Sequence, residues 1–175
     1  MKKMIIITIL IFLFFNSLMF SGEKINGNAG YRMVKHFMQE YYEAYNESAQ
    51  DASSIDLMDK YWAPEFLAYQ YLPLPECLVM DLPTWKNMMV YVHLNVKETL
   101  KVEEMAIDIE TMSVVSRLSI TFNLRSNGEL ALKVDAVAYY NLKLDKKRQL
   151  KQTALKLYFS DPLAVMQLSG PPPTI

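Results

Sequence analysis

The sequence predicts an α+β domain, with about three N-terminal helices in the lap of one curved antiparallel sheet. Three observations carry this. Apolar residues recur at helical spacing from Val34 to Val96, and beyond Lys97 the period changes to alternation of apolar and polar residues. Between two alternating runs stands Asn127-Gly128, a dipeptide suited to the φ > 0 positions of a tight hairpin.

The 175 residues are a one-domain length, 51% hydrophobic and 21% charged, within the range of globular proteins. Residues 1–22 read as a secretory signal. Lys2 and Lys3 precede an apolar run from Ile5 to Phe15, broken only by Thr8, with small residues at Ser21 and Gly22. A spanning helix needs roughly 20 apolar residues, and this run is shorter. Met19 and Phe20 are bulky for a cleavage site, so an uncleaved membrane anchor stays open beside a cleaved signal. Either way the expectation is export, to a periplasm or the cell exterior. Residues 1–22 hold two lysines and no acid, so 18 basic and 19 acidic residues become 16 and 19 on cleavage, a net charge of −3. That gives no electrostatic case for nucleic acid. Cys77 is the only cysteine, which excludes an internal disulfide.

Residues 23–30 read as a flexible leader, residues 31–162 as a single domain and residues 163–175 as a loose tail. The first helix starts near Tyr31. Val34, Phe37, Met38, Tyr41, Ala44 and Tyr45 share one side, His36, Glu40, Glu43 and Glu47 the other, and Tyr42 lies at the edge. Ser53 or Ser54 caps a second helix with the stripe Ile55, Met58, Tyr61 and Trp62, which Pro64 ends. "EFLAYQYLPLPE" reads as a connection, since Pro73 and Pro75 argue against a central strand. A third helix begins around Asp81 to Thr84, with Pro83 in an early position and Trp85, Met88, Met89, Val92 and Val96 as its buried face.

The strands follow. An irregular one spans about Val102 to Thr111, and Leu118, Ile120, Phe122 and Leu124 mark the next. The return strand turns Leu130, Leu132, Val134, Ala136, Ala138, Tyr140 and Leu142 to one face, and Lys133, Asp135, Val137, Tyr139, Asn141 and Lys143 to the other. Leu155, Leu157 and Phe159 close the series. Clean alternation predicts one face on the core and one wetter face.

This order of elements resembles the nuclear transport factor 2-like superfamily, which includes the SnoaL-like polyketide cyclases. The resemblance rests on "FMQEYYEAYNES", "DLMDKYWAPEF", "PTWKNMMVYV", "SVVSRLSITFNLRSNGELALKVDAVAYYNLKLD" and "LKQTALKLYFSDP", and covers nearly all of residues 30–162. It implies a cone-shaped sheet curled around helices, with a pocket at the open end. Members include isomerases, dehydratases and cyclases, alongside domains that only bind or dimerise, so the fold does not convert to an activity.

The resemblance also implies that an enzyme of this kind holds a carboxylate or histidine in its pocket, where burial raises a carboxylate's pKa toward working pH. Two residues are candidates. Asp135 shares its row with Lys133, Asn141 and Lys143, the signature of the wetter face, where Arg117 or Lys156 would pair with it. A one-residue shift of register would turn it inward. His93 has the chemistry for proton transfer and flanks the apolar stripe of the third helix. Two histidines on separate helices and one cysteine leave a metal without ligands, no motif calls for a cofactor, and no nucleophile motif is present.

Aromatic residues supply the remaining signal. Tyr41, Tyr45, Tyr61, Trp62, Trp85 and Tyr140 fall on inward faces, and buried hydroxyls need partners. They are the candidates for a pocket holding a small apolar or amphipathic molecule. The expected function is an exported small-molecule-binding domain. Two alternatives stand beside it: a homodimerisation or interaction module using the outer sheet face at Val137, Tyr139 and Tyr158, and a proton-transfer enzyme of isomerase, dehydratase or cyclase type. In that enzyme His93 or Asp135 would move the proton while Tyr41 or Tyr140 steadies an oxyanion.

Overall fold

The computed structural model describes residues 27–71 and 77–169. The expected signal, residues 23–26 of the leader, Pro73, Pro75 and the last six residues lie outside the described residues.

Helix α1 spans Gly27–Ser48, so helix replaces leader from Gly27 onward. Its periodicity buries Val34, Met38, Tyr41 and Tyr45, as expected, and also Tyr42, which sequence placed at the edge. A 3-10 helix covers Ala52–Lys60. Its cap is Asp51, one turn earlier than the serines expected: the carboxylate accepts from the Ser53 N–H at 3.0 Å, satisfying an orphan donor.

The helix end expected at Pro64 and the connection expected from Glu65 are replaced by strand β1, Trp62–Tyr71, followed by β2, Cys77–Asp81. β1 lies inside the sheet, between β2 and the last strand. Pro64 is tolerated there because the ladder is irregular between Trp62 and Leu67, so no regular hydrogen bond is asked of it. Helix α2, Leu82–Asn95, has Asp81 as its cap and Pro83 in its first turn, as the sequence predicts.

β3 runs Val96–Asp108, starting directly from the helix rather than at Val102. β4 (Ser113–Leu124), β5 (Leu130–Leu144) and β6 (Leu150–Phe159) complete the sheet. The expected loose tail contains a short helix, α3, Pro162–Ser169. The strand order is β2-β1-β6-β5-β4-β3. All ladders are antiparallel except β1 with β6, which is parallel, so the sheet is mixed rather than wholly antiparallel. At the β4–β5 hairpin only Gly128 has positive φ (76°), in a longer turn than the expected two-residue one, and a register shift between Phe122 and Asn123 absorbs the difference.

The inward row of β5, from Val134 through Ala136, Ala138 and Tyr140 to Leu142, is buried as alternation predicts. Val137 and Tyr158 are exposed on the other face, where Lys156 lies over the Tyr139 ring. α1 is fastened to edge strand β3 by a two-way amide bridge: Asn46 Nδ2 donates to the Leu100 carbonyl at 2.9 Å and Oδ1 accepts from the Leu100 N–H at 2.7 Å. The free backbone groups of Leu100 on that edge are thereby used, and β3 is held at a fixed height against the helix.

Candidate functional site

Between α1, α2 and the inward sheet face lies a cavity of about 50 Å³, counted as space open to the centre of a water molecule. One water needs roughly 10–15 Å³ on that measure, so the space suits a few waters or one slim ligand. Its walls are mostly apolar: Leu118, Ile120 and Phe122 from β4, Leu155 and Leu157 from β6, Met88, Met89 and Val92 from α2.

Four of the six aromatic candidates line this space: Tyr41, Tyr45, Trp85 and Tyr140. The other two do not. Tyr61 is buried with its hydroxyl donating to the Glu40 carbonyl at 2.9 Å, and its ring packs edge-on against Phe37 and Tyr41. Trp62 faces a separate open cleft with Pro64, Pro83 and Lys86. Beginning β1 at Trp62 breaks the helical stripe that grouped these two with the cavity.

The ionisable candidates divide in the same way. Asp135 is exposed on the outer face, so it cannot reach the cavity. Arg117, one of its expected partners, pairs with Glu104 at 2.8 Å instead. His93 is completely buried, deeper than a flanking position implies, yet it is not part of the cavity wall. It stands behind Glu98. His93 Nε2 lies 3.1 Å from Glu98 Oε2, and the Tyr45 hydroxyl donates to the same oxygen at 2.9 Å. Glu98 is only 6% exposed and does line the cavity.

Glu98 was missed by the sequence reading. Its signal was present: with β3 starting at Val96, Glu98 shares the inward face with Val96 and Leu100, while Lys97, Thr99 and Lys101 point out. A carboxylate between two buried aliphatic residues of one strand face is unusual, since buried charges are normally paired. Here the pairing is supplied from both helices, by Tyr45 of α1 and His93 of α2.

The hydrogen bonds favour one imidazole tautomer. His93 Nδ1 has no partner among the described residues. The tautomer with its proton on Nε2, donated to Glu98, is the one that leaves no buried N–H of the ring without an acceptor. Arg125 holds the frame from outside: Nε donates to the His93 carbonyl at 2.5 Å, Nη1 to the Gln50 carbonyl at 2.6 Å and Nη2 to the Ala49 carbonyl at 3.0 Å. One guanidinium thus satisfies carbonyls at the ends of both helices.

The phenols are locked in their protonated form. Burial pushes the Tyr41, Tyr45 and Tyr140 hydroxyls well above their ordinary 10.0, and the Glu98 carboxylate adds to this at Tyr41 and Tyr45. Tyr42, whose hydroxyl donates to that of Tyr140 at 3.0 Å, is pushed up to about 12, again by burial. The arrangement thus offers one carboxylate, the three phenols of Tyr41, Tyr45 and Tyr140, the Gln70 amide of β1, and apolar walls. Among the described residues no group of three His, Cys, Asp or Glu side chains is placed to hold a metal.

No family model matches the sequence. No curated protein sequence matches it either. Solved structures do. The BvnE pinacolase from Penicillium brevicompactum superposes with a TM-score of 0.60 at 9% identity, covering 82% of this chain and 94% of the pinacolase. A candidate SnoaL-like polyketide cyclase from Jannaschia sp. CCS1 gives a TM-score of 0.58 at 13% identity, over 81% of this chain and 94% of its own. An NTF2-like protein of unknown function from Shewanella baltica OS155 gives 0.50 at 11% identity, over 77% and 97%. At these identities the likeness is one of fold, and the chain has the fold of the SnoaL-like and nuclear transport factor 2-like proteins.

Proposed function

We propose that the protein binds a small, largely apolar molecule in the cavity between its helices and sheet, with the molecule's polar end at Glu98. The observation that carries this is the Glu98 carboxylate itself, desolvated and opening onto a wall of aromatic and aliphatic side chains. A structural carboxylate would be expected at a surface or in a closed network, whereas this one borders space. The shared fold with the pinacolase supports a small-molecule site, though its substrate stays its own.

An environment-sensitive apolar dye tests the reading. One equivalent should bind saturably to the wild-type protein. Met88→Trp, which fills the cavity from its half-buried α2 wall, should abolish binding while circular dichroism stays unchanged. Equal binding by that variant would place the dye elsewhere and remove the cavity as the site.

A second reading, proton-transfer catalysis, is favoured by the His93–Glu98 contact. Glu98 would take a proton from a carbon next to a carbonyl, His93 would orient it, and a protonated phenol, Tyr41 or Tyr140, would donate to the developing oxyanion. Deuterium exchange into small apolar ketones, followed by NMR, checks this. Exchange should fall by about 10²-fold or more in Glu98→Gln, and exchange that persists in that variant would exclude the mechanism.

A further inference from the structure

The polar end of the cavity has a definite sign, and from it we infer the ligand class: a slim apolar molecule ending in a protonated amine, which donates to Glu98. This rests on the cavity being the binding site. The two carboxylate oxygens of Glu98 are unequal. Oε2 receives both protein donors, Tyr45 and His93, while no donor among the described residues reaches Oε1. Glu98 lines the cavity with the acceptor capacity of that oxygen unused by the protein, so an occupant that brings a donor is favoured.

Charge narrows the class further. Glu98 is the one acidic side chain among the described residues lining the cavity, and His93, which meets its Oε2, is not in the wall. The phenols beside Glu98 are protonated and contribute no charge. No lysine or arginine is among the described residues lining the cavity. Arg125, the cation fastened to the His93 backbone, spends its donors on three carbonyls. Around the same space stand the rings of Tyr41, Tyr45, Trp85 and Tyr140, whose electron-rich faces attract a cation. A carboxylate among aromatic faces stabilises an ammonium by a charge-assisted hydrogen bond and by its quadrupole surroundings. An alcohol would meet the hydrogen bond alone, and an anionic ligand would face like charge.

Three straight-chain probes of equal length decide the matter: hexylamine, hexan-1-ol and hexanoate, each titrated calorimetrically into the full chain at neutral pH. The expected order is amine tightest, alcohol weaker by about tenfold, and hexanoate weakest. In Glu98→Gln the amine and alcohol should bind alike. The proposal is overturned if hexan-1-ol or hexanoate equals hexylamine in the wild-type protein, or if the amine preference survives in Glu98→Gln. Should that variant fail to fold, the wild-type order decides alone. Failure of all three probes both to bind and to displace the dye would instead remove the cavity reading, and this inference with it.

Discussion

Tyr45 places a phenol within 2.9 Å of a buried carboxylate, and its partner cannot be re-solvated when the hydroxyl is removed. Tyr45→Phe leaves Glu98 with one protein donor and should cost about 1–3 kcal/mol, read as a lower urea midpoint at unchanged slope. The Tyr42–Tyr140 pair behaves differently because both partners can be made apolar. Tyr42→Phe strands the Tyr140 hydroxyl and Tyr140→Phe leaves Tyr42 with Ser116 alone, whereas the double variant strands neither phenol. The double variant should therefore lose less than the sum of the singles, by about 0.5–1.5 kcal/mol in a double-mutant cycle. Additive losses would mean that the 3.0 Å contact contributes nothing. At this scale the site was half legible. Tyr41, Tyr45, Trp85 and Tyr140 were readable because a stripe fixes facing, and facing is what puts a side chain on a cavity. Glu98 was hidden by an element boundary: without knowing that β3 begins at Val96, no alternation assigns it a side.

Elements here are held by a few polar fastenings at their ends. Gly128 is one of them, at φ 76° with no atom within 4 Å of where a Cβ would sit. Gly128→Ala meets no clash, so its cost is conformational alone, about 1 kcal/mol, while Gly128→Asn should recover part of it because Asn tolerates the left-handed region. Thermal unfolding of the two variants measures the difference. Arg125 is the stronger fastening. Arg125→Met keeps the apolar stem and abandons three carbonyls, so amide exchange should accelerate at the C-terminal turns of α1 and α2 and leave the middle of β5 protected. The same scale explains the misread strand. Proline counts against a strand only where its missing N–H is needed, and the sequence does not reveal that the β1 ladder is irregular around Pro64. The start of α2 was clearer: Asp81 with Pro83 two residues on is a local signal, needing no knowledge of the rest of the chain.

Across the whole molecule the buried phenols make stability fall in alkali. Their folded-state pKa values lie above the unfolded value of 10.0, so the unfolded chain releases those protons first. Their stabilising contribution is complete below pH 10.0, is lost for Tyr42 as the pH rises toward about 12, and for the other three continues to fall beyond that. Urea midpoints should be flat toward pH 10.0 and drop steeply above it, and beyond the absorbance of the exposed tyrosines the phenolate signal of the four buried rings should appear together with unfolding. That second phase appearing while the fold persists would show that these rings are open to solvent. For the N-terminal segment we propose an export signal, and the intact mass of protein recovered from an exporting host distinguishes a cleaved signal from an uncleaved anchor. The α+β class was legible because a change of period is a property of long runs. The parallel ladder was not, because pairing across the chain leaves no local mark.

That ladder sets a timetable. Tyr71 pairs with Tyr158 and Trp62 with Gln152, so β1 and β2 join the main sheet only through the last strand of the chain. Such distant pairing is slow to form, and during synthesis it cannot begin until β6 has been made. The cavity walls drawn from β1 and β6 appear together, at the end. Until β6 exists, β1 and β2 have no neighbour in the sheet beyond each other, whereas the β3–β4 and β4–β5 pairs need only adjacent chain, so the two ends of the sheet differ in when they can be completed.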